Sequence, residues 1–368
     1  MRSASLSLVL LVGLLTSCAE DGLDLPPTEL VYESDLTRLR AEPGMPLCAD
    51  TGLRMDQQAR FIAETLDMGD ISSPMSFYWL TRDGFDAGIP SCAGNLGCVS
   101  DLTAYTTQVP ITHEAVHLYL RDRFGHPGRP RHFLFEEGLA EVFSTDSQDA
   151  GIPERDVWDV LLENQVSIDR PGRTRAGHFL RAMMDVYPKS GVEDFYRRTT
   201  GVIDIDRVLD VYAEAFGEEL EDFLERYEEV PVCEQRGGWE LAVECGQEEP
   251  TDAYDDDGRT LVERTLSCGE PGTFNFDAEY MAMTFTIEIP DFQVGWGRIH
   301  HLEAVGDGVV AQLYGCGGCG QPFFFDSREG AFWEAIPPGR YWGRFLVPID
   351  QPGSAGLRIV ECASENLC

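Results

Sequence analysis

His113-Glu114-Ala115-Val116-His117 puts two imidazoles and a carboxylate within five residues. On a helix, positions four apart differ by about 40° around the axis, so both rings project from one face and can share one cation, with Glu114 beside them. Glu137 follows 20 residues after His117, in Phe135-Glu-Glu-Gly-Leu-Ala-Glu-Val-Phe143. Glu141 lies one turn further on the same face, while Phe135, Leu139 and Val142 occupy the opposite side, so this second helix can meet the core one way and a metal the other. Two imidazoles and a carboxylate, with a fourth position open, form the zinc arrangement that supports hydrolysis. Glu137 is therefore the expected third ligand and Glu141 the acceptor that orients a ligating imidazole. Glu136 has Ala140 at its own i+4 position and is not expected to matter for metal.

Elements must hold these groups in place. Gln57 to Leu66 reads as a helix, Met75 to Thr81 as a strand and Ala104 to Thr107 as a second strand. Apolar residues then recur at helical spacing at 116, 120 and 124, through Phe179-Leu180-Ala182-Met183, and at Leu209, Tyr212 and Phe216. Beyond Gly237 the texture changes to short segments, such as Met283 to Ile289, Val309 to Tyr314 and Tyr341 to Val347, separated by Gly, Pro and Asp turns. That spacing suggests a β-sandwich. The expected organisation is a tether over residues 19–48, an α+β domain over 49–232 and a disulfide-rich all-β sandwich domain over 233–368. His300-His301 sits in a strand-like stretch where alternation sends the rings to opposite faces, a poor arrangement for chelation. The acidic cluster at 252–258 fails the EF-hand pattern and reads as a solvated turn. His126 and His132 read as loop residues, since the third-ligand position is already filled.

The chain has 368 residues, with 28 Lys+Arg against 64 Asp+Glu, a formal charge of −36. Such a surface repels polyanions, and no run of basic residues offers a stripe for nucleic acid. Residues 1–18 combine one Arg, an apolar run from Leu6 to Leu15 and small residues, which reads as a secretory signal; a bilayer span needs about 20 apolar residues. Leu15-Thr16-Ser17-Cys18 resembles the bacterial lipobox, which implies a lipid on Cys18, a membrane held through that anchor, and a place in the cell envelope, outer membrane or surface rather than inner membrane. Ten further cysteines suggest five disulfides. Three precede residue 100 and seven follow residue 230, so at least one bridge must join the two groups. Cys316-Gly-Gly-Cys319 lacks the strand-to-helix context of a redox motif and reads as a structural pair.

Together, the HEAVH and EGLAE motifs make the chain resemble the gluzincin metallopeptidases, in particular bacterial peptidase-MA-like domains, over roughly residues 75 to 230. Ala176 to Tyr187 and Ala213 to Leu220 support the likeness. The resemblance implies a gluzincin-like α+β catalytic domain with a small antiparallel-edged sheet. It implies Zn2+ on His113, His117 and Glu137, with Glu114 as the general base. The strand through Ala104 to Thr107 would be the edge to which an extended peptide or protein substrate adds. Relatives commonly place a Tyr a few residues before the later helix to stabilise the oxyanion; here that stretch is Gly172-Arg-Thr-Arg175, so His178, Arg173 or Arg175 would supply the donor. No signature for gripping a free amino terminus is present, which favours an endopeptidase, expected as a monomer. The competing reading is a catalytically retired binding module on a peptidase scaffold, against which stands the retention of Glu114. Residues 335–345 faintly resemble strands of sandwich modules appended to secreted bacterial peptidases.

Overall fold

The structure is a computed structural model that describes residues 25–93, 95–125, 132–144, 157–163, 170–202, 204–227, 243–246, 259–290, 299–316 and 323–362. The signal segment with Cys18, His126, the acidic cluster at 252–258, and Cys233, Cys319 and Cys368 lie outside the described residues.

A five-stranded sheet opens the fold. It contains β1 (Glu29–Glu33), β2 (Thr37–Ala41), β3 (Met75–Trp79), β4 (Gly97–Ser100) and β5 (Thr103–Thr106), in spatial order β1-β2-β3-β5-β4. The β2, β3 and β5 strands run parallel, and both edge strands run antiparallel to their neighbours. Two expectations are corrected here. Residues 29–41 are not tether: alternate residues Thr37, Leu39 and Ala41 are buried, so this stretch has the period-2 pattern of a sheet strand. Nor is the 104–107 segment an edge, because β5 is flanked by β3 and β4; the edge on this side of the sheet, among the described residues, is β4.

The helices among the described residues are α1 (Thr51–Leu66), α2 (Arg82–Gly88), α3 (Thr112–Phe124), α4 (Phe133–Phe143), α5 (Val157–Glu163), α6 (Arg170–Val186), α7 (Lys189–Thr199), α8 (Ile205–Phe216) and α9 (Leu220–Tyr227); α1 and α3 pack on the sheet, α4 packs on α3 and α6 on α4. One core joins them to the sheet, with Phe77 and Trp79 from β3, Ile62 from α1, Val116 and Tyr119 from α3, and Phe135 and Leu139 from α4 all buried. The α1 helix begins six residues before the stretch expected from periodicity, because Thr51 and Arg54 are buried by contacts to Asn275 and Thr284 of the sandwich side while Met55 is buried in the core with the sheet.

Two further sheets follow. One has order β11-β10-β13-β8-β7, from β7 (Phe274–Asn275), β8 (Tyr280–Ile289), β10 (Val310–Gly315), β11 (Phe323–Asp326) and β13 (Gly339–Pro348). The other has order β12-β9-β14-β6, from β6 (Arg259–Leu266), β9 (Ile299–Val305), β12 (Phe332–Glu334) and β14 (Gly353–Cys362). All their pairings are antiparallel. Phe285, Ile287, Leu313 and Phe345 of the first meet Val262, Leu302, Leu357 and Ile359 of the second in one core, as facing sheets of a sandwich do. The protein is thus a mixed α+β chain with a β-sandwich-like C-terminal part.

The two parts are joined by buried polar contacts and a covalent bond. Asn275 Oδ1 accepts from Cys48 N at 2.9 Å and from Thr51 Oγ1 at 2.8 Å, and its Nδ2 donates to Pro46 O. Arg54 of α1 pairs with Glu244 at 2.6 Å and donates to Thr284 of β8 at 2.7 Å. The Cys48–Cys268 disulfide is the bridge between the two cysteine groups that their odd split requires. Cys92–Cys98 and Cys245–Cys316 are also bonded. The CGGC expectation is therefore corrected: Cys316 does not pair with Cys319, because the strand end at Gly315 carries it to Cys245 instead. Disulfides of this kind belong to a chain that folds outside the cytoplasm. Among the described residues, no helix is long and apolar enough to cross a membrane.

Candidate metal centre

The α3 helix starts after Pro110 and buries Ala115, Val116, Leu118, Tyr119 and Leu120. Glu114 in its first turn and Arg121 and Arg123 in its last complement the helix dipole. Its first residue is held from outside, where Gln58 Nε2 of α1 donates to Thr112 Oγ1 at 2.9 Å. The α4 helix is capped by buried His132, whose Nδ1 accepts from Leu134 N at 3.4 Å. This capping role is structural, and the loop-like neighbourhood of His132 in sequence did not reveal it. Tyr196 Oη of α7 donates to Phe135 O at 2.6 Å and pins the same first turn.

Crossed in this way, α3 and α4 bring the expected ligands together. His113 Nε2 lies 3.3 Å from His117 Nε2, and the Glu137 carboxylate spans them, one oxygen 3.3 Å from the first and the other 3.4 Å from the second. One donor atom from each residue lies within 4.8 Å of the others. A tetrahedral zinc with ligands at about 2.0 to 2.1 Å separates its donors by about 3.3 Å, which is the separation of the two imidazole nitrogens and of each from its nearer Glu137 oxygen. The outward ring nitrogens face carboxylates as well: His113 Nδ1 is 3.7 Å from Glu141, and His117 Nδ1 is 3.5 Å from Glu136. Glu141 thus stands where the spacing put it. Glu136 does not behave as expected, since the angle between α3 and α4 turns it toward His117.

Electrostatics of the cluster also call for positive charge at its centre. Burial works against protonating His113, but its bonds to Glu137 and Glu141 outweigh that and hold it well above the ordinary histidine range. His117 is likewise opposed by burial yet pushed up to about 9, chiefly by the Glu137 charge and its bond to Glu136. Burial would raise Glu137, but the two imidazoles hold it well below the usual carboxylate range. A divalent cation could supply between these groups the charge that protons otherwise supply.

Glu114 is buried beside this triangle and reaches β4. A Cβ on Gly97 would stand 2.9 Å from Glu114 Cγ and 3.1 Å from its Oε1, so only glycine lets the carboxylate and the edge strand approach this closely. Nothing in the Gly-Cys-Val-Ser sequence of β4 announced this contact. Glycines also set the depth of α4. A Cβ on Gly138 would meet Ala176 O at 2.8 Å, and one on Gly177 would meet Glu141 Cγ at 2.7 Å, so α6 packs its backbone directly against α4, behind Glu137 and Glu141. His178, the next residue of α6, does not join the ligand triangle. Its Nδ1 is 2.6 Å from Tyr227 Oη, a tyrosine pushed up to about 12 by burial and crossed by Arg175 at 4.9 Å. Arg173, the other basic residue expected there, is half-buried on α6.

No family model matches the chain, and no curated protein is similar to it. Among solved structures it is similar to PliG of Salmonella Typhimurium, a periplasmic lysozyme inhibitor of g-type lysozyme, with 12% identity over 29% of this chain and 90% of that chain and a TM-score of 0.20. It is also similar to a 4-O-methyl-alpha-glucuronidase with specificity for decorated arabinogalactans, with 6% identity over 67% of this chain, 41% of that chain and a TM-score of 0.14. Likenesses this distant carry no inference about this chain.

Proposed function

We propose that this protein is a zinc-dependent metallopeptidase of gluzincin type, an endopeptidase held at the bacterial cell envelope by a lipid on Cys18. The observation that supports it most is the approach of His113, His117 and Glu137, whose imidazole nitrogens lie 3.3 Å apart and 3.3 and 3.4 Å from the two Glu137 oxygens, beside a buried Glu114. Zinc bound there supplies a Lewis acid for a peptide carbonyl and makes water acidic near neutral pH. His113, His117 and Glu137 hold that ion; Glu141 and Glu136 fix the ring orientations. Glu114 accepts the proton of the attacking water and delivers it to the leaving amine nitrogen. The free edge of β4, in contact with Glu114 at Gly97, binds an extended peptide by backbone pairing, the role that sequence had given to the neighbouring strand. Release from membranes on Cys18→Ala tests the anchor.

The test of activity is zinc content and peptide cleavage in the wild type and in Glu114→Gln. Both proteins are expected to bind one zinc, and the variant to lose at least about 100-fold in kcat/KM. Zinc at full occupancy with no cleavage by the wild type would overturn the enzyme in favour of a binding module on a peptidase scaffold.

A further inference from the structure

Only part of the β4 edge is open. Thr107 N donates to Leu96 O at 2.9 Å, so Leu96 faces inward across the ladder toward β5. With Gly97 opposite Thr106, Cys98 opposite Tyr105 and Val99 opposite Ala104, alternation points the backbone groups of Cys98 inward and those of Gly97 and Val99 outward. These outward groups are what an added strand would pair with. Among the described residues the Gly97 amide and carbonyl have no partner, but the Val99 carbonyl is taken: Arg121 Nη1 donates to it at 3.1 Å and to Asp101 O at 3.1 Å. Arg121 comes from α3, seven residues after Glu114 and so on nearly the same helix face, about 10 Å further along the axis. The helix therefore lies along the edge with the base at one end and a guanidinium closing the other.

We propose that Arg121 is a specificity-determining residue that ends the peptide-pairing edge at Val99, so that the enzyme takes oligopeptides with only two or three residues on the amino side of the scissile bond. This rests on the metallopeptidase reading. An antiparallel peptide, the stronger pairing, places the residue next to the scissile bond opposite Gly97 beside Glu114, and its amino end runs toward Val99. The guanidinium that bridges Val99 O and Asp101 O stands on the outward side of the Val99 carbonyl, where the N–H of the residue opposite Val99 must approach, and any residue beyond it meets the guanidinium itself. Extension past that point exchanges a solvated peptide N–H for one without a partner, which costs about tenfold in binding.

A ladder of peptides sharing one scissile bond, with one to six residues on its amino side and a constant carboxyl side, tests the inference on the zinc-loaded full chain. Wild-type kcat/KM is expected to peak at two or three residues and to fall about tenfold by the fifth. In Arg121→Met, which keeps the aliphatic stem, it is expected to go on rising with length. A residue that merely buttressed the β4–β5 turn would alter the rate for every peptide alike and leave the profile unchanged. An Arg121→Met profile with the wild-type shape would overturn the cap. Should the variant not fold, the wild-type ladder decides alone, since kcat/KM that holds or climbs through six residues overturns the proposal. No cleavage at any length, with zinc bound, would instead remove the peptidase reading on which it rests.

Discussion

Glu137 faces both imidazoles at once, and this sets how the site answers to pH. His117 has its pKa raised from 6.5 to about 9 in the folded metal-free protein, so the stability it contributes is fully present below pH 6.5 and is lost as pH rises through about 9. Glu137 has its pKa lowered from 4.5, so its contribution is present above pH 4.5 and is lost as pH falls through the depressed value. Metal-free protein should then melt at its highest temperature between pH 4.5 and 6.5 and at falling temperature from 6.5 to 9. Zinc displaces those protons, so its affinity should rise over the same upper range; thermal melts with chelator and with excess zinc at each pH separate the two trends. Glu137→Ala should abolish tight binding, and Glu136→Ala should weaken it about 10- to 100-fold, measured by competition with a chromophoric chelator. An unchanged affinity in Glu136→Ala would show that its approach to His117 orients nothing. His113, Glu114, His117, Glu137 and Glu141 were all legible because a helix converts spacing of three or four residues directly into a shared face. Glu136 was not, because its neighbour is set by how two helices cross, which no spacing within one helix records.

Between elements, the glycines carry the sharpest expectations. Gly97→Ala inserts a methyl group against the Glu114 carboxylate, which must move; kcat/KM should fall at least about tenfold while zinc content stays at one, because no ligand is touched. Gly177→Ala presses on Glu141 instead and is expected to cost about 1 to 3 kcal/mol in stability, read from urea unfolding, together with weaker zinc binding. The helices that bear the ligands could be read from their apolar periodicity, as the buried Phe135 and Leu139 opposite Glu137 and Glu141 bear out. The β4 strand could not. It has four residues, a glycine and a cysteine among them, and its place in the sheet comes from pairing with β5 and from the Cys92–Cys98 bond rather than from any alternation of its own. Missing it displaced the free edge by one strand, from beside Glu114 to the sheet interior.

Across the whole molecule the acidic balance, the sandwich and one inter-part disulfide followed from composition, strand spacing and the parity of cysteines. The attachment of α1 to the sandwich did not, since Arg54, Glu244 and Thr284 are far apart in sequence and ordinary in type. That junction reaches the site through α1, whose Gln58 holds Thr112 at the start of the helix bearing His113. Replacing Cys48 and Cys268 by Ser should lower stability by about 2 to 5 kcal/mol, measured by denaturant unfolding, for a loop of this length. The same bond has a consequence for survival among other proteases. Cys48 and Cys268 close a ring of chain, 220 residues apart in sequence, that contains every proposed zinc ligand. A single backbone cut anywhere within it opens the ring without freeing a fragment, so a nicked molecule should run as one band on a non-reducing gel and as two once reduced, with its metal-binding residues still covalently held in one particle.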